Sequence, residues 1–216
     1  MQIILTRKPG ETTVRKDGYV VAMGSEAYRA AGLEVAYMMN RDRGKNSVLY
    51  IPIRDGGKSF GASLEDAFRI SHIPYLGTPA FVSKRLRHVF SPTQSQLVRD
   101  IGKLRSDRPE YGVTAVIYDD TVDKGTRLLT MYGFLKDLQN DPRLHVDDIR
   151  LAAFMDSRGV TDYHALSMTD ERVNKDAALN DLRSETFSDR LTETLYSFLP
   201  TKMQNPKDVV GRIMLL

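Results

Sequence analysis

Residues 116–129, VIYDDTVDKGTRLL, predict a strand, an acidic turn, a glycine loop and a helix in direct succession. The apolar run from Thr114 to Tyr118 is typical of a short buried strand. Asp119 and Asp120 follow where that strand is expected to end, and the loop DKGTR comes next. Apolar side chains at 3.6-residue spacing then predict a helix, and they are Leu128, Met131, Tyr132, Leu135 and Leu138.

The glycine loop has the composition of an anion site. In open α/β sheets, ligands bind at the carboxyl ends of the strands, where this loop would lie. Backbone N–H groups at a helix start attract anions, and Gly125 lets the chain approach a ligand closely. Lys124, Thr126 and Arg127 add two positive charges and a hydroxyl. We therefore predict a phosphate site at residues 124–127.

Three carboxylates next to a phosphate site need a separate explanation. Asp119, Asp120 and Asp123 would repel the phosphate of a ligand unless they interact with another part of the ligand or with a cation. Hydrogen bonds to sugar hydroxyls and a Mg²⁺ ion are the two obvious uses. Phosphate, ribose and magnesium together indicate a phosphorylated sugar. The alternative is an acidic surface loop that joins a strand to a helix and binds nothing.

Residues 116–129 resemble the phosphoribosyl-pyrophosphate (PRPP) motif of the type I phosphoribosyltransferases. That motif is an apolar strand, two acids, two further residues, an acid, and usually Thr-Gly-x-Thr. The strand, the acid pair, Asp123 and Gly125 match it, whereas Lys124 and Arg127 stand where the family usually has threonines.

The resemblance implies a role for each of these residues. Asp119 and Asp120 would bind the ribose hydroxyls and Mg²⁺, and the loop from Lys124 to Arg127 would hold the 5′-phosphate. Asp123 would lie near the anomeric carbon and act as the general base. All three aspartates are therefore candidate catalytic residues.

A second strand, glycine loop and helix precede this motif. Ser47–Ile53 reads as a strand, and the apolar side chains Phe60, Leu64, Ala67 and Phe68 mark a helix face. Between them, Arg54, Asp55, Gly56 and Gly57 form either a second anion site or a plain turn. In purine-type phosphoribosyltransferases a similar loop holds the pyrophosphate of PRPP, often with a non-proline cis peptide, which the resemblance would place at Arg54–Asp55.

A basic segment follows the short predicted strand at residues 80–82. Its sequence, SKRLRH, contains Lys84 and Arg85 and can be interpreted as a nucleic-acid patch or as a solvated face. The resemblance implies a third role, the flexible catalytic loop that closes over PRPP. We therefore expect residues 83–93 to be mobile until ligand binds. A helix with Leu97, Ile101 and Leu104 on its buried face follows.

The acceptor base is not identified by the sequence. The strand Ile149–Met155 leads into DSRG at residues 156–159, where the purine enzymes commonly carry a lysine that faces a purine O6. No lysine stands there in this chain. Tyr163 and His164 could stack on a base, or they could simply be packed or exposed.

The remaining segments are predicted to surround this core, which spans about residues 25–165. Two short strands in residues 1–24 and part of the C-terminal region would form a small hood. Ser25 begins a helix that runs to roughly Asn40. Residues 169–216 form a helical extension with the apolar positions Phe187, Leu191, Leu195, Phe198 and Leu199. This extension either covers the core or forms a dimer surface, so a homodimer stays open.

Composition excludes several classes of function. The 216 residues include no cysteine, which rules out disulfides, thiolate nucleophiles and cysteine metal sites. The four histidines show no metal-ligand spacing. A net charge of only +3 does not favour nucleic acid as a partner, and no segment is apolar enough for a signal peptide or a membrane helix. We expect a cytoplasmic protein.

Together with these patterns, the resemblance implies a single-domain α/β fold with a mostly parallel central sheet and helices on both faces. The function that it implies is Mg²⁺-dependent transfer of a phosphoribosyl group from PRPP to a nitrogenous base, with a purine favoured, releasing pyrophosphate. The alternative is a PRPP- or nucleotide-sensing regulatory protein on the same fold. A third alternative, an unrelated α/β protein whose acid pair binds metal alone, does not account for the second glycine loop.

Overall fold

The computed structural model describes residues 25–53 and 58–184. The chain divides into two compact units, residues 1–173 and 174–216, and every strand and helix discussed below except one belongs to the first. The two strands predicted for residues 1–24, and with them the hood, lie outside the described residues. The amphipathic helix predicted around Phe187 also lies outside them. The single-domain assignment stays a prediction.

A five-stranded sheet forms the centre of the first unit, and all of its neighbouring strands run parallel. In spatial order its strands are β2 (Tyr75–Gly77), β1 (Ser47–Pro52), β5 (Val113–Val122), β6 (Asp148–Asp156) and β7 (Tyr163–Ser167). Two further strands, β3 (Phe81–Ser83) and β4 (His88–Ser91), pair with each other in an antiparallel hairpin.

Four helices flank the strands of the first unit. They are α1 (Ser25–Asp42), α2 (Lys58–Ile70), α3 (Gln94–Asp107) and α4 (Thr126–Leu138). In the second unit, residues 175–184 are helical. Within the described part of the chain, no helix has the length and apolar character needed to span a membrane.

The sheet is covered on both faces, which explains why its central strands are apolar on both sides. On one face, α1 and α2 pack on alternate strand residues that include Tyr50, Val116, Tyr118 and Phe154. The intervening residues, such as Ile117, are also buried, and α3 and α4 pack on β1, β5 and β6. The predicted α/β architecture with helices on both faces is therefore confirmed.

Most predicted helices begin where the sequence indicates and bury the predicted apolar side chains. Leu97, Ile101 and Leu104 form the buried face of α3, and the Thr93 hydroxyl caps that helix by accepting from the Gln96 amide at 3.2 Å. In α4, all of the predicted apolar positions are buried except Leu138, which is half-buried.

Two strand predictions were wrong in extent. β5 does not end at Tyr118 but continues through both aspartates to Val122, because its backbone keeps pairing with β6 as far as Asp156. The segment after residue 83 is not only a loop, since His88–Ser91 returns as β4 to pair with β3.

Candidate active site

Asp119 and Asp120 are consecutive residues of a strand, not of a turn. Asp119 lies opposite Ala153 and Thr121 lies opposite Met155 in the β5–β6 register. Because successive side chains of a strand point to opposite faces, the two carboxylates leave β5 in opposite directions. Asp119 points to the α3–α4 face, and Asp120 points to the α1–α2 face together with Tyr118.

Asp119 pairs with Arg127 at the start of α4. The residue is only 4% exposed, and its Oδ1 accepts hydrogen bonds from the Asp120 amide at 3.0 Å and from Arg127 Nη2 at 3.3 Å. Burial raises the pKa of Asp119 to about 6, although the charges of Arg127 and Lys84 act in the opposite direction. The predicted phosphate-binding arginine, which is half-buried, and the buried first acid therefore form one ion pair.

Asp120 has a different partner. The hydroxyl of Tyr118, two residues earlier on the same strand, donates a hydrogen bond to Asp120 Oδ1. Tyr118 is buried, whereas Asp120 is half-buried at the carboxyl end of the central strand. The Asp120 carboxylate is thus held by a hydrogen bond from an aromatic side chain of the core.

The loop between β5 and α4 has the backbone of an anion site. Gly125 precedes the first residue of α4 with a φ of 70°, a left-handed conformation that favours glycine. It has no side chain to cap the helix, so the first-turn N–H groups of α4 are oriented for an external acceptor. Asp123 and Lys124 are exposed, and Thr126 and Arg127 are half-buried.

A residue that the sequence did not single out fixes this loop. Arg158, in the loop after β6, donates from Nη1 to the carbonyl oxygen of Lys124 at 2.6 Å. This bond joins the loops that follow two neighbouring strands. Its only signal in the sequence is the position of Arg158 shortly after a strand end.

The basic hairpin lies beside the same ion pair. Lys84 and Arg85 are exposed in the turn between β3 and β4, and Lys84 is close enough to Asp119 to lower its pKa. The hairpin packs against α4, with Val82 and Val89 buried. Of the roles considered for this segment, its position next to Asp119 favours one at the site over a merely solvated face.

The second candidate loop, Arg54, Asp55, Gly56 and Gly57, lies outside the described residues, as does the cis peptide predicted there. Its flanks are described. Ile53 donates from its amide to the carbonyl oxygen of Tyr118 at 2.8 Å, and α2 begins at Lys58. The chain therefore enters this loop beside Tyr118.

The carboxylates of Asp119 and Asp120 suit a Mg²⁺ ion that binds together with a phosphate-containing substrate. No group of three or more metal-ligating side chains is found in residues 25–53 and 58–184. Mg²⁺ commonly keeps several waters and binds one or two carboxylates together with substrate phosphates. Asp119 and Asp120 offer carboxylate oxygens of that kind near the end of β5, so the chemistry of the donors fits.

The segment after β6 is organised by a buried carboxylate. Asp156 accepts hydrogen bonds from the amides of Arg158 and Gly159, each at 2.9 Å, and from the amide and hydroxyl of Thr161 at 2.8 and 2.7 Å. Tyr163 is packed in the core and is therefore not available to stack on a base. His164 is half-buried, with Nδ1 3.2 Å from the Thr161 hydroxyl oxygen.

No protein-family model matches the sequence, and neither does any curated protein. Solved structures do match the fold. A hypoxanthine phosphoribosyltransferase of Trypanosoma cruzi has a TM-score of 0.50 and 19% identity over 68% of this chain and 79% of that chain. Its complex with the product IMP also gives 0.50 and 19%, over 68% and 74%.

A third similar structure is a glutamic acid mutant made to analyse an invariant aspartic acid in HPRTs. It has a TM-score of 0.51 and 18% identity, over 68% of this chain and 79% of that chain. At this identity the agreement concerns the fold alone. The chain therefore has the type I phosphoribosyltransferase fold.

Proposed function

We propose that this protein transfers a phosphoribosyl group from PRPP to a nitrogenous base, with the aid of Mg²⁺, and releases pyrophosphate. A purine is the favoured base, because the structures of similar fold are hypoxanthine phosphoribosyltransferases. The observation that carries the proposal is the carboxyl end of β5. There an uncapped helix start, the Asp119–Arg127 pair and Asp120 lie within a few residues of one another.

The start of α4 would hold the 5′-phosphate. Backbone N–H groups after Gly125 and the guanidinium of Arg127 supply donors to a dianion. In the described structure Arg127 uses Nη2 toward Asp119, and a guanidinium has five N–H donors. Arg127 can therefore keep its carboxylate partner while it binds phosphate.

Arg127→Ala should weaken PRPP and a nucleoside 5′-monophosphate alike, because both present the same 5′-phosphate. Loss of a hydrogen bond to a charged group costs about 1.5–3 kcal/mol, which corresponds to a roughly 10- to 150-fold rise in each dissociation constant. Calorimetry at fixed Mg²⁺ measures this. Arg143→Ala, which removes an exposed arginine paired with Asp141, is the matched control. Unchanged affinity for both ligands in Arg127→Ala would show that the loop has been misinterpreted.

Asp119 and Asp120 would serve the sugar end of PRPP. Their carboxylates would accept hydrogen bonds from the ribose hydroxyls and hold Mg²⁺. When bound, the ion supplies positive charge that neutralises the pyrophosphate leaving group. The loop Arg54–Gly57 would hold that pyrophosphate, and Lys84 and Arg85 would add charge from the hairpin turn.

We expect the amides of residues 83–93 to exchange hydrogen more slowly when PRPP and a base are bound. Closure of the hairpin turn over the ligand would keep water away from a cationic intermediate. Hydrogen exchange followed by mass spectrometry measures this, and the buried amides of α3 around Ile101 serve as an internal reference. Equal protection of residues 83–93 with and without ligands would argue against a lid.

The proposed reaction needs only PRPP and the base as reactants. The bond between the anomeric carbon and the pyrophosphate oxygen breaks, and its electron pair leaves with pyrophosphate. A ring nitrogen of the base donates a lone pair to the anomeric carbon, and the base then loses its N–H proton. Asp123, exposed just beyond the end of β5, would accept that proton.

A panel of bases assayed with PRPP and Mg²⁺, with pyrophosphate release as the signal, tests the proposal. Release with at least one base supports it and identifies the acceptor. PRPP binding without turnover on any base would instead favour the sensing alternative, and nucleic-acid binding with and without PRPP would then be measured. No PRPP binding at millimolar concentration, with or without Mg²⁺, would refute both. Cytoplasmic location and a homodimer stay predictions.

A further inference from the structure

Two tyrosines lie side by side in the core, on the face of the sheet that α1 and α2 cover. Tyr50 of β1 and Tyr118 of β5 are 0% and 2% exposed, and their ring centroids are 6.1 Å apart. Gly61 of α2 packs against both, since a Cβ there would lie 3.4 Å from Tyr118 Cε1 and from the Tyr50 hydroxyl oxygen. The two rings therefore share one tightly packed environment.

Their hydroxyl groups differ in one respect. The Tyr118 hydroxyl donates to Asp120, whereas the Tyr50 hydroxyl is buried without a hydrogen-bond partner in the described part of the chain. Burial raises the pKa of both hydroxyls well above the usual range, so both are neutral donors at physiological pH. Removing each hydroxyl in turn therefore compares a tyrosine that is bonded to Asp120 with a neighbouring tyrosine that is not.

The geometry of a strand explains how Tyr118 reaches Asp120. Residues i and i+2 share a face and are about 6.6 Å apart, which is close to the length of a tyrosine side chain. The ring of Tyr118 is held in place by Tyr50 and Gly61, so its hydroxyl has a fixed position. A carboxylate that accepts from a fixed donor loses rotational freedom.

We infer that Tyr118 is a positioning residue, which orients Asp120 for the ribose and the Mg²⁺ ion of PRPP. The inference rests on the proposed function and adds to it a residue that the PRPP-like motif does not single out. Tyr118 does not touch the ligand in this role. It acts through Asp120, as the hydrogen-bonding partners of metal-binding carboxylates generally do.

Tyr118→Phe keeps the ring and removes the bond to Asp120. Loss of such a supporting partner typically costs 10- to 100-fold in metal affinity or activity, and we expect PRPP affinity in the presence of Mg²⁺ to fall by roughly that factor. The KM for the base should stay within about twofold, because Asp120 would not contact it. Calorimetry gives the first value, steady-state kinetics the second, and thermal unfolding shows that the variant is folded.

Tyr50→Phe is the matched control, because it makes the same change 6.1 Å away on a hydroxyl without a described partner. PRPP affinity should stay within about twofold of the wild type. An equal loss of affinity in both variants would mean that the core has merely been disturbed, and it would overturn the positioning role.

A double-mutant cycle with Asp120→Ala shows whether Tyr118 acts through Asp120. In that background Tyr118→Phe should no longer change PRPP affinity, measured at millimolar ligand if necessary. A loss as large as in the wild-type background would overturn the inference.

The two proposals fail in different ways. A wild-type protein that binds no PRPP overturns the proposed function and this inference with it. Wild-type binding together with an unimpaired Tyr118→Phe variant overturns the inference alone.

Discussion

Asp123→Asn should lower the turnover number by ~10²–10⁴-fold, the usual contribution of a positioned general base, while PRPP affinity changes little. Asparagine keeps the shape of the side chain and removes its basicity. Asp123 is exposed one residue beyond the end of β5, where a side chain can reach a ligand bound at that strand end. Single-turnover kinetics with saturating PRPP measures the chemical step directly.

The competing explanation is that Asp123 only caps the following helix, a common role for aspartate. Asparagine caps equally well, so turnover would then stay nearly intact. The residue that precedes α4 is Gly125, which leaves Asp123 outside the capping position. Asp107→Asn, at an exposed aspartate ending α3, is the control for a general effect of losing one charge. Near-normal turnover of Asp123→Asn would remove the general-base role.

Asp119→Asn should stabilise the ligand-free protein at pH 8 and leave its stability nearly unchanged at pH 4. Burial raises the pKa of Asp119 to about 6, from an ordinary 3.8, so the folded state binds its proton more tightly than the unfolded state. The stability of the wild type therefore falls as pH rises from about 4 to about 6. The asparagine variant lacks this fall, and the difference corresponds to at most ~3 kcal/mol.

Urea unfolding at a series of pH values measures this effect. Asp141→Asn provides a control of opposite sign, because hydrogen bonds from Arg143 lower the pKa of Asp141 to about 2. The carboxylate of Asp141 therefore stabilises the folded state above pH 4, and this contribution is lost as pH falls toward 2. A difference between Asp119→Asn and wild type that does not change between pH 4 and 8 would contradict the prediction. PRPP affinity should fall in the same variant, since the proposed function assigns the Asp119 carboxylate to the sugar end of PRPP.

The helices and the buried strands of the sheet could be predicted because their apolar patterns are strong. Leu97, Ile101 and Leu104 recur at helical spacing, and all three are buried in α3. Ser47–Ile53 is apolar on both sides, as a strand covered on both faces requires. These local patterns agree with the tertiary packing.

The end of β5 could not be predicted in the same way. Aspartate is depleted in strands, so two in succession indicate a turn. Pairing with β6 overrides that preference, because the backbone of residues 119–122 has a partner as far as Asp156. The opposite orientation of Asp119 and Asp120, and with it the Tyr118 contact, follows only from the strand.

The residues of the candidate site were named from the sequence, but the contact between Asp119 and Arg127 was not predicted. Arg127 was identified from the loop and Asp119 from the strand end, yet their contact depends on how α4 returns over the sheet. Arg158 was missed because a bond from a side chain to a distant backbone carbonyl leaves no local pattern.

The strand order has a consequence for the newly synthesised chain. β1, with Leu49, Tyr50 and Ile51 wholly buried, lies next to β5, yet Val113 follows Ser47 by about 66 residues. At a translation rate of about 5–20 residues per second, β1 waits roughly 3–13 s for its central neighbour. During that time an apolar strand has an unpaired edge, and such edges recruit other chains. We therefore expect that a chaperone which covers this edge during synthesis raises the yield of native protein.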